Sequence, residues 1–284
     1  MFKFRIISFT ALLALFSLFF LYPNIYVRML GFVPLAALVG FAMAYELCGL
    51  LEKRGMPSYR RTAAAYAAVA VLVFCWGPIA LAPQLSASWL EAATAAALVL
   101  LLAPVLLPWL ALLFSDNFEK GVARLPVSIG VLVLALPPVL SLAAVGCGSM
   151  QLFGYFVLTT KAGDTGAYCV GMLSNKFNGG RNHPVAPRIS PKKSIEGTIG
   201  GLIFCVAVSL ALGAVWTNWS PGVLALLGFG LFWGGFAGDL TESVLKRGCG
   251  VKDSGRILPG MGGIWDIMDS FIYNGPLFYL LFLL

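Results

Sequence analysis

The sequence predicts an all-α fold, a polytopic transmembrane helical bundle of about nine spans with a cytoplasmic N-terminus. Three observations predict it: the composition, the spacing of the apolar runs and the placement of the basic residues. Of 284 residues, 60% are hydrophobic and only 11% charged, and the mean hydropathy is +0.90. Water-soluble domains carry about 25% charged residues, so this composition suits lipid as the solvent.

A helix needs about 20 mainly apolar residues to cross the hydrocarbon core. Runs near that length occupy 6–22, 29–51, 62–82, 92–114, 125–145, 150–173, 198–216, 223–240 and 264–284. They are continuous rather than alternating, and lipid obliges a span to satisfy its own backbone groups, so they read as helices and not barrel strands. The first run follows Lys3 and Arg5 as a signal peptide would. Tyr22-Pro23-Asn24-Ile25 offers no small-residue cleavage site, however, and the run reads as an uncleaved first helix.

Nine spans entered from the cytoplasm put 17 of the 19 basic residues on cytoplasmic segments. These are Lys3 and Arg5; Lys53, Arg54, Arg60 and Arg61; Lys120 and Arg124; Lys176, Arg181, Arg188, Lys192 and Lys193; and Lys246, Arg247, Lys252 and Arg256. Arg28 falls on the other side and Lys161 within a span. The net charge of +7 is thus spread over short loops, which fits attraction to anionic lipid and phosphate better than binding of nucleic acid. The six cysteines, at 48, 75, 147, 169, 205 and 249, form no C-x-x-C pair and read as small buried residues rather than disulfides or zinc ligands.

Polar character divides the chain into an N-terminal transmembrane scaffold, 1–149, and a C-terminal catalytic region, 150–284, with cytoplasmic loops at 174–197 and 241–263. In the first part Glu46 and Glu91 lie near predicted helix ends, where acids reach water at little cost. In the second, acids occur inside or at the edges of spans, where ionisable groups mark functional cavities.

Three constellations stand out there. Lys161, Asp164 and Tyr168 lie at i, i+3 and i+7, on one helical face. Ser190, Lys192, Lys193 and Ser194 precede a helix start, whose free N–H groups and dipole favour anions while lysines add full charge for phosphate. The densest stretch, 238–270, holds five acids, four bases and seven glycines in 33 residues. Asp239, Glu242 or Ser243, and Lys246 share a face if the eighth helix extends beyond its span, and Asp266 and Asp269 share one at the start of the ninth. Carboxylates bind Mg²⁺ as hard oxygen ligands alongside substrate phosphates, cations neutralise those phosphates, and glycines admit close backbone approach. The combination points to metal-assisted phosphoryl or nucleotidyl transfer.

The run Ser243-x-Leu-Lys-Arg-x4-Lys-Asp-x-Gly-x2-Leu-Pro-x-Met-Gly-Gly-Ile-x-Asp-Ile-Met-Asp269 resembles the signature of the phosphatidate cytidylyltransferases. Asp164-Thr-Gly-Ala-Tyr168, Gly171, Ser190-Pro191-Lys192 and Glu196-Gly197 are similar to a second landmark of that family, in the same order. The resemblance covers roughly the last 130 residues. Two positions depart from it: Met261 stands where the family has His, and Ile267 where it has Arg. A thioether donates no hydrogen bond and Ile carries no charge, so neither replacement can take over such a role. His183, the one histidine, reads as incidental.

The resemblance implies that CTP and phosphatidate yield CDP-diacylglycerol and diphosphate, in phospholipid biosynthesis. Read together with the residue pattern, it makes Asp239, Lys246, Lys252, Asp253, Asp266 and Asp269 the expected catalytic residues, with Mg²⁺ expected on Asp239, Asp266 and Asp269. Asp164, Tyr168, Ser190, Lys192, Lys193, Ser243, Arg247, Gly262 and Gly263 would bind the substrates. It further implies a homodimer in a bacterial-type cytoplasmic (inner) membrane, its active site facing the cytoplasm. Another CTP-dependent lipid enzyme, such as a polyprenol kinase or ether-lipid cytidylyltransferase, is the alternative. A transporter coupled through Lys161 and Asp164 is a more distant one.

Overall fold

The computed structural model describes residues 25–81, 118–255 and 262–283. The expected spans at 6–22 and 92–114, Glu91 and Met261 lie outside them. The described residues form helices α1 (Ile25–Glu52), α2 (Arg60–Leu81), α3 (Phe118–Gly148) and α4 (Met150–Phe177), and a hairpin of β1 (Pro184–Ala186) and β2 (Ser190–Ser194). They continue with α5 (Ile195–Trp216), α6 (Pro221–Gly248), the single turn α7 (Trp265–Met268) and α8 (Phe271–Leu283). Among the described residues four stretches are long and apolar enough to cross a membrane: Leu30–Glu52, Phe118–Gly148, Ile195–Trp216 and Pro221–Gly248. The protein is therefore a helical integral membrane protein.

Serines set the helix starts. Ser149, Ser194 and Ser220 each accept the backbone N–H three residues on, from Leu152, Gly197 and Val223, and Pro221 begins α6 where its missing N–H costs nothing. Two expectations are corrected. The stretch 174–197 is not all loop: Gly179 and Gly180, at φ +60° and +84°, turn the chain away from α4, and β1 then pairs antiparallel with β2 in the register Pro184↔Ser194 and Ala186↔Ser190. The ninth span is not one helix: it breaks at Asp269 and Ser270, between α7 and α8. There the Asp269 carboxylate accepts the Ser270 N–H at 2.6 Å, a local bond that competes with the helical ladder.

The chain groups into two compact units, Met1–Gly148 with Asp253–Ile267, and Ser149–Lys252 with Met268–Leu284. In the first, α1 packs on α2 and α3 around Val33, Met43, Leu47, Val71 and Val131. Arg60 fastens α2 to α1: its guanidinium lies 3.7 Å from the Tyr45 ring centroid, its Nε donates to the Tyr45 carbonyl at 3.0 Å, and it pairs with Glu52 at 3.5 Å. Tyr59 N–H donates to Ser128 Oγ at 2.8 Å, tying the start of α2 to α3.

In the second unit, α4 and α5 meet along a glycine seam. A Cβ on Gly201 would lie 2.8 Å from the Gly163 carbonyl oxygen, and one on Gly197 2.7 Å from that of Ala167. Lipid supplies no hydrophobic drive between helices, so such close backbone packing supplies the association instead. α8 is held by the Asn274 amide, which donates to the Leu231 carbonyl of α6 at 2.7 Å, and by Phe278, stacked 4.4 Å from Phe156 of α4.

Candidate active site at an acidic cluster

The helical period puts Asp239 and Glu242 one turn apart on α6. Asp269 arrives from the break before α8, and Gly238 lets it: a Cβ there would strike the Asp269 carbonyl. One carboxylate oxygen from each of Asp239, Glu242 and Asp269 lies within 4.8 Å of the others. Glu242 and Asp269 are only 3% and 8% exposed.

Three buried or half-buried negative charges this close repel strongly unless compensated. Each has a lysine. Lys193 of β2 pairs with Asp239 at 2.7 Å, Lys246 with Glu242 at 2.6 Å, and Lys161 of α4 with Asp269 at 3.6 Å. Lys193 Nζ also lies 4.2 Å from the Phe236 ring centroid, a cation–π contact with the helix that carries its partner. Lys161 reaches Asp164 at 3.1 Å and donates to Ser270 Oγ at 2.9 Å. The Ser270 hydroxyl in turn lies 2.9 Å from both the Asp164 and the Asp269 carboxylates.

Of the residues expected at the site, Asp164, Lys193, Asp239, Lys246 and Asp269 are thus in one network. Asp266 is placed otherwise. It lies in the first unit, where its carboxylate accepts the Gly263 N–H at 2.7 Å and faces the Ser254 N–H at 3.3 Å. Gly262, at φ +97°, has no room for a Cβ beside that carboxylate, so both glycines of the pair serve Asp266. Tyr168, Lys192, Arg247, Lys252 and Asp253 are exposed, and Ser190 and Ser243 half-buried. His183 is exposed and bonds Glu196 at 2.8 Å.

Three members of the network, Glu242, Lys161 and Ser270, were not among the expected site residues. Glu242 carried a readable signal, its spacing from Asp239 and Lys246. Lys161 carried another, an ionisable residue inside an apolar run. Glu46 is a correction of a different kind: it is 6% exposed, not water-facing, and accepts the Trp265 N–H at 3.0 Å. Its position six residues before the end of α1 is deep enough for neighbouring chain to cover it.

The donor set fits a hard divalent cation. Three carboxylates converge, two of them buried, and all offer oxygen, the ligand Mg²⁺ takes together with phosphate. Apolar helices around a centre of three carboxylates and three lysines define a membrane protein with a densely charged centre. The chain belongs to the cytidylyltransferase family, whose model matches residues 3–284. It is 42% identical over 154 residues to a phosphatidate cytidylyltransferase of Staphylococcus aureus (strain COL), covering 50% of this chain and 56% of that one. With phosphatidate cytidylyltransferase 4, chloroplastic, of Arabidopsis thaliana it shares 46% identity over 107 residues, 36% of this chain and 27% of that protein. A phosphatidate cytidylyltransferase of Staphylococcus haemolyticus (strain JCSC1435) is 43% identical over 153 residues, again 50% of this chain and 56% of the relative. The chain therefore matches about half or less of the length of these curated relatives.

Proposed function

We propose that the chain is a phosphatidate cytidylyltransferase, converting CTP and phosphatidate to CDP-diacylglycerol and diphosphate. The observation that carries this reading is the acid cluster with a lysine on each carboxylate, in a member of the cytidylyltransferase family. Asp239, Glu242 and Asp269 would hold Mg²⁺. When bound, the ion supplies charge neutralisation and Lewis-acid polarisation at the phosphates.

A phosphate monoester is already anionic at pH 7, so no protein nucleophile is required; the problem is to bring two anions together. A phosphatidate oxygen attacks the α-phosphorus of CTP in line, a new P–O bond forms, the bond to the β-phosphate bridging oxygen breaks, and diphosphate leaves. Lys161, Lys193 and Lys246 are neutralised by carboxylates at rest. With a cation held by those carboxylates, the three lysines would be available to stabilise charge on the reacting and leaving phosphates. Lys192 and Lys252, both exposed, add charge at the approach to the site. Lipid enters laterally, CTP from the cytoplasm, where the N-terminus also lies, and the enzyme works as a homodimer in a bacterial-type inner membrane.

Purified protein supplied with CTP, phosphatidate and Mg²⁺ is expected to release diphosphate and leave CMP on the lipid. Release of CDP instead would assign a kinase, and solute flux without CTP a transporter.

A further inference from the structure

Among the described residues, the acid of the N-terminal half with the most unusual setting is Glu46. It projects from α1, the first described helix, and is 6% exposed. A buried carboxylate costs several kcal/mol unless it is bonded or paired, and this one is taken up by a segment more than two hundred residues away: Glu46 accepts the Trp265 N–H at 3.0 Å, 219 positions on. Trp265 is the first residue of α7 and is itself fully buried.

The same carboxylate shapes the rest of that segment. A Cβ on Gly255 would strike one Glu46 oxygen, and a Cβ on Gly263 would strike the other while lying 2.5 Å from Ser254 Oγ. The Cβ position of Gly255 is also 3.3 Å from the Gly263 Cα, so Gly255 and Gly263 meet at the carboxylate. Asp266, one residue past Trp265, completes the arrangement through the Gly263 and Ser254 N–H groups. Glu46 Oε1 and Ser254 Oγ are both buried without a hydrogen-bond partner.

We propose that Glu46 is a positioning residue for the transfer reaction. It is the peg that holds 253–255 and 262–266 together, and it fixes the first residue of α7, four positions before Asp269 in the chain. This rests on the cytidylyl-transfer reading for its effect on rate, though not for the contact itself. The element required is an acceptor oxygen at the reach of a Glu side chain, not the negative charge. Glu46→Gln keeps reach and acceptor. Glu46→Asp keeps the charge but withdraws it by one methylene.

The test combines hydrogen exchange of peptides spanning 253–267 with CMP-transfer kinetics on the full-length protein in detergent. Glu46→Asp and Glu46→Ala are expected to raise exchange in that segment and lower kcat by about 10²-fold, as a misplacement near 1 Å does, with KM for CTP changed little. Glu46→Gln should match the wild type in both. In a Glu46→Ala background, Gly263→Ala should cost less than it does alone, because of the two groups that exclude its Cβ only the Ser254 hydroxyl remains. Unchanged exchange in Glu46→Ala, or an active Glu46→Asp beside an inactive Glu46→Gln, overturns the proposal. A wild type that transfers no CMP while Glu46→Ala and Glu46→Asp still loosen the segment rejects the reaction and supports the peg.

Discussion

Lys161 Nζ donates to Ser270 Oγ at 2.9 Å across 109 residues of sequence. The contact joins the middle of α4 to the break before α8, and the same hydroxyl faces Asp164 and Asp269. Ser270 is fully buried, so its bonds have no solvent substitute. Ser270→Ala should cost about 1–3 kcal/mol, the usual penalty when buried partners lose their bond. Thermal unfolding in detergent checks this, and an unchanged midpoint would argue that the hydroxyl is dispensable.

Asp239, Glu242 and Asp269 should behave as one set. Replacing any of them with its amide removes a charged oxygen donor, so CMP transfer should fall by at least about 10²-fold. The Mg²⁺ concentration for half-maximal rate should rise for whatever activity remains. Asp253→Asn, at an exposed position, should lower the rate less. Equal losses at Asp253 and Glu242 would contradict the geometric cluster.

Lys246 and Glu242 form the most shielded pair, with side chains 15% and 4% exposed. Lys246→Met leaves Glu242 buried without its lysine and should destabilise by about 3–5 kcal/mol. Mg²⁺ binding the folded state should then restore part of that loss by mass action. The measurable outcome is a larger rise in melting temperature with Mg²⁺ for the variant than for the wild type.

Gly238→Ala places a methyl group against the Asp269 carbonyl, a backbone atom that cannot rotate away. Overpacking of this kind costs about 1–3 kcal/mol, and here it also moves a cluster carboxylate. Transfer should therefore fall more than the melting temperature alone accounts for.

His183, 77% exposed and paired with Glu196, touches no member of the cluster. His183→Ala should leave the rate within about two-fold, as surface substitutions do. A large loss in steady-state CMP transfer would give the hairpin a part in the chemistry.

The helices of the described residues were legible because apolar runs near the length of a bilayer have few other uses. Lys161 with Asp164, and Asp239 with Glu242 and Lys246, were legible for a related reason: helical period converts sequence spacing into a shared face. The break at Asp269 was not, since an apolar run looks continuous until a side chain captures its own neighbouring N–H. Nor was the hairpin, whose two short strands carry Pro, Lys and Ser rather than alternating apolar residues. Least legible was Glu46, because nothing local in α1 shows that Trp265 will come to it. The stretch 238–270 reads as one block, yet it is shared between two units, and a contiguous motif gives no sign of where packing divides it.

The glycine seam of α4 and α5 bears on how the molecule tolerates change. A Cβ on Gly197 or Gly201 would meet a backbone carbonyl of α4, so every other amino acid there would have to push two backbones apart. A saturation scan should accordingly find these positions as intolerant as the carboxylates, while Ile199 and Ile203, 55% and 64% exposed, accept other apolar residues freely. Mutational intolerance along α5 would trace the spacing of two helices rather than the path of a reaction.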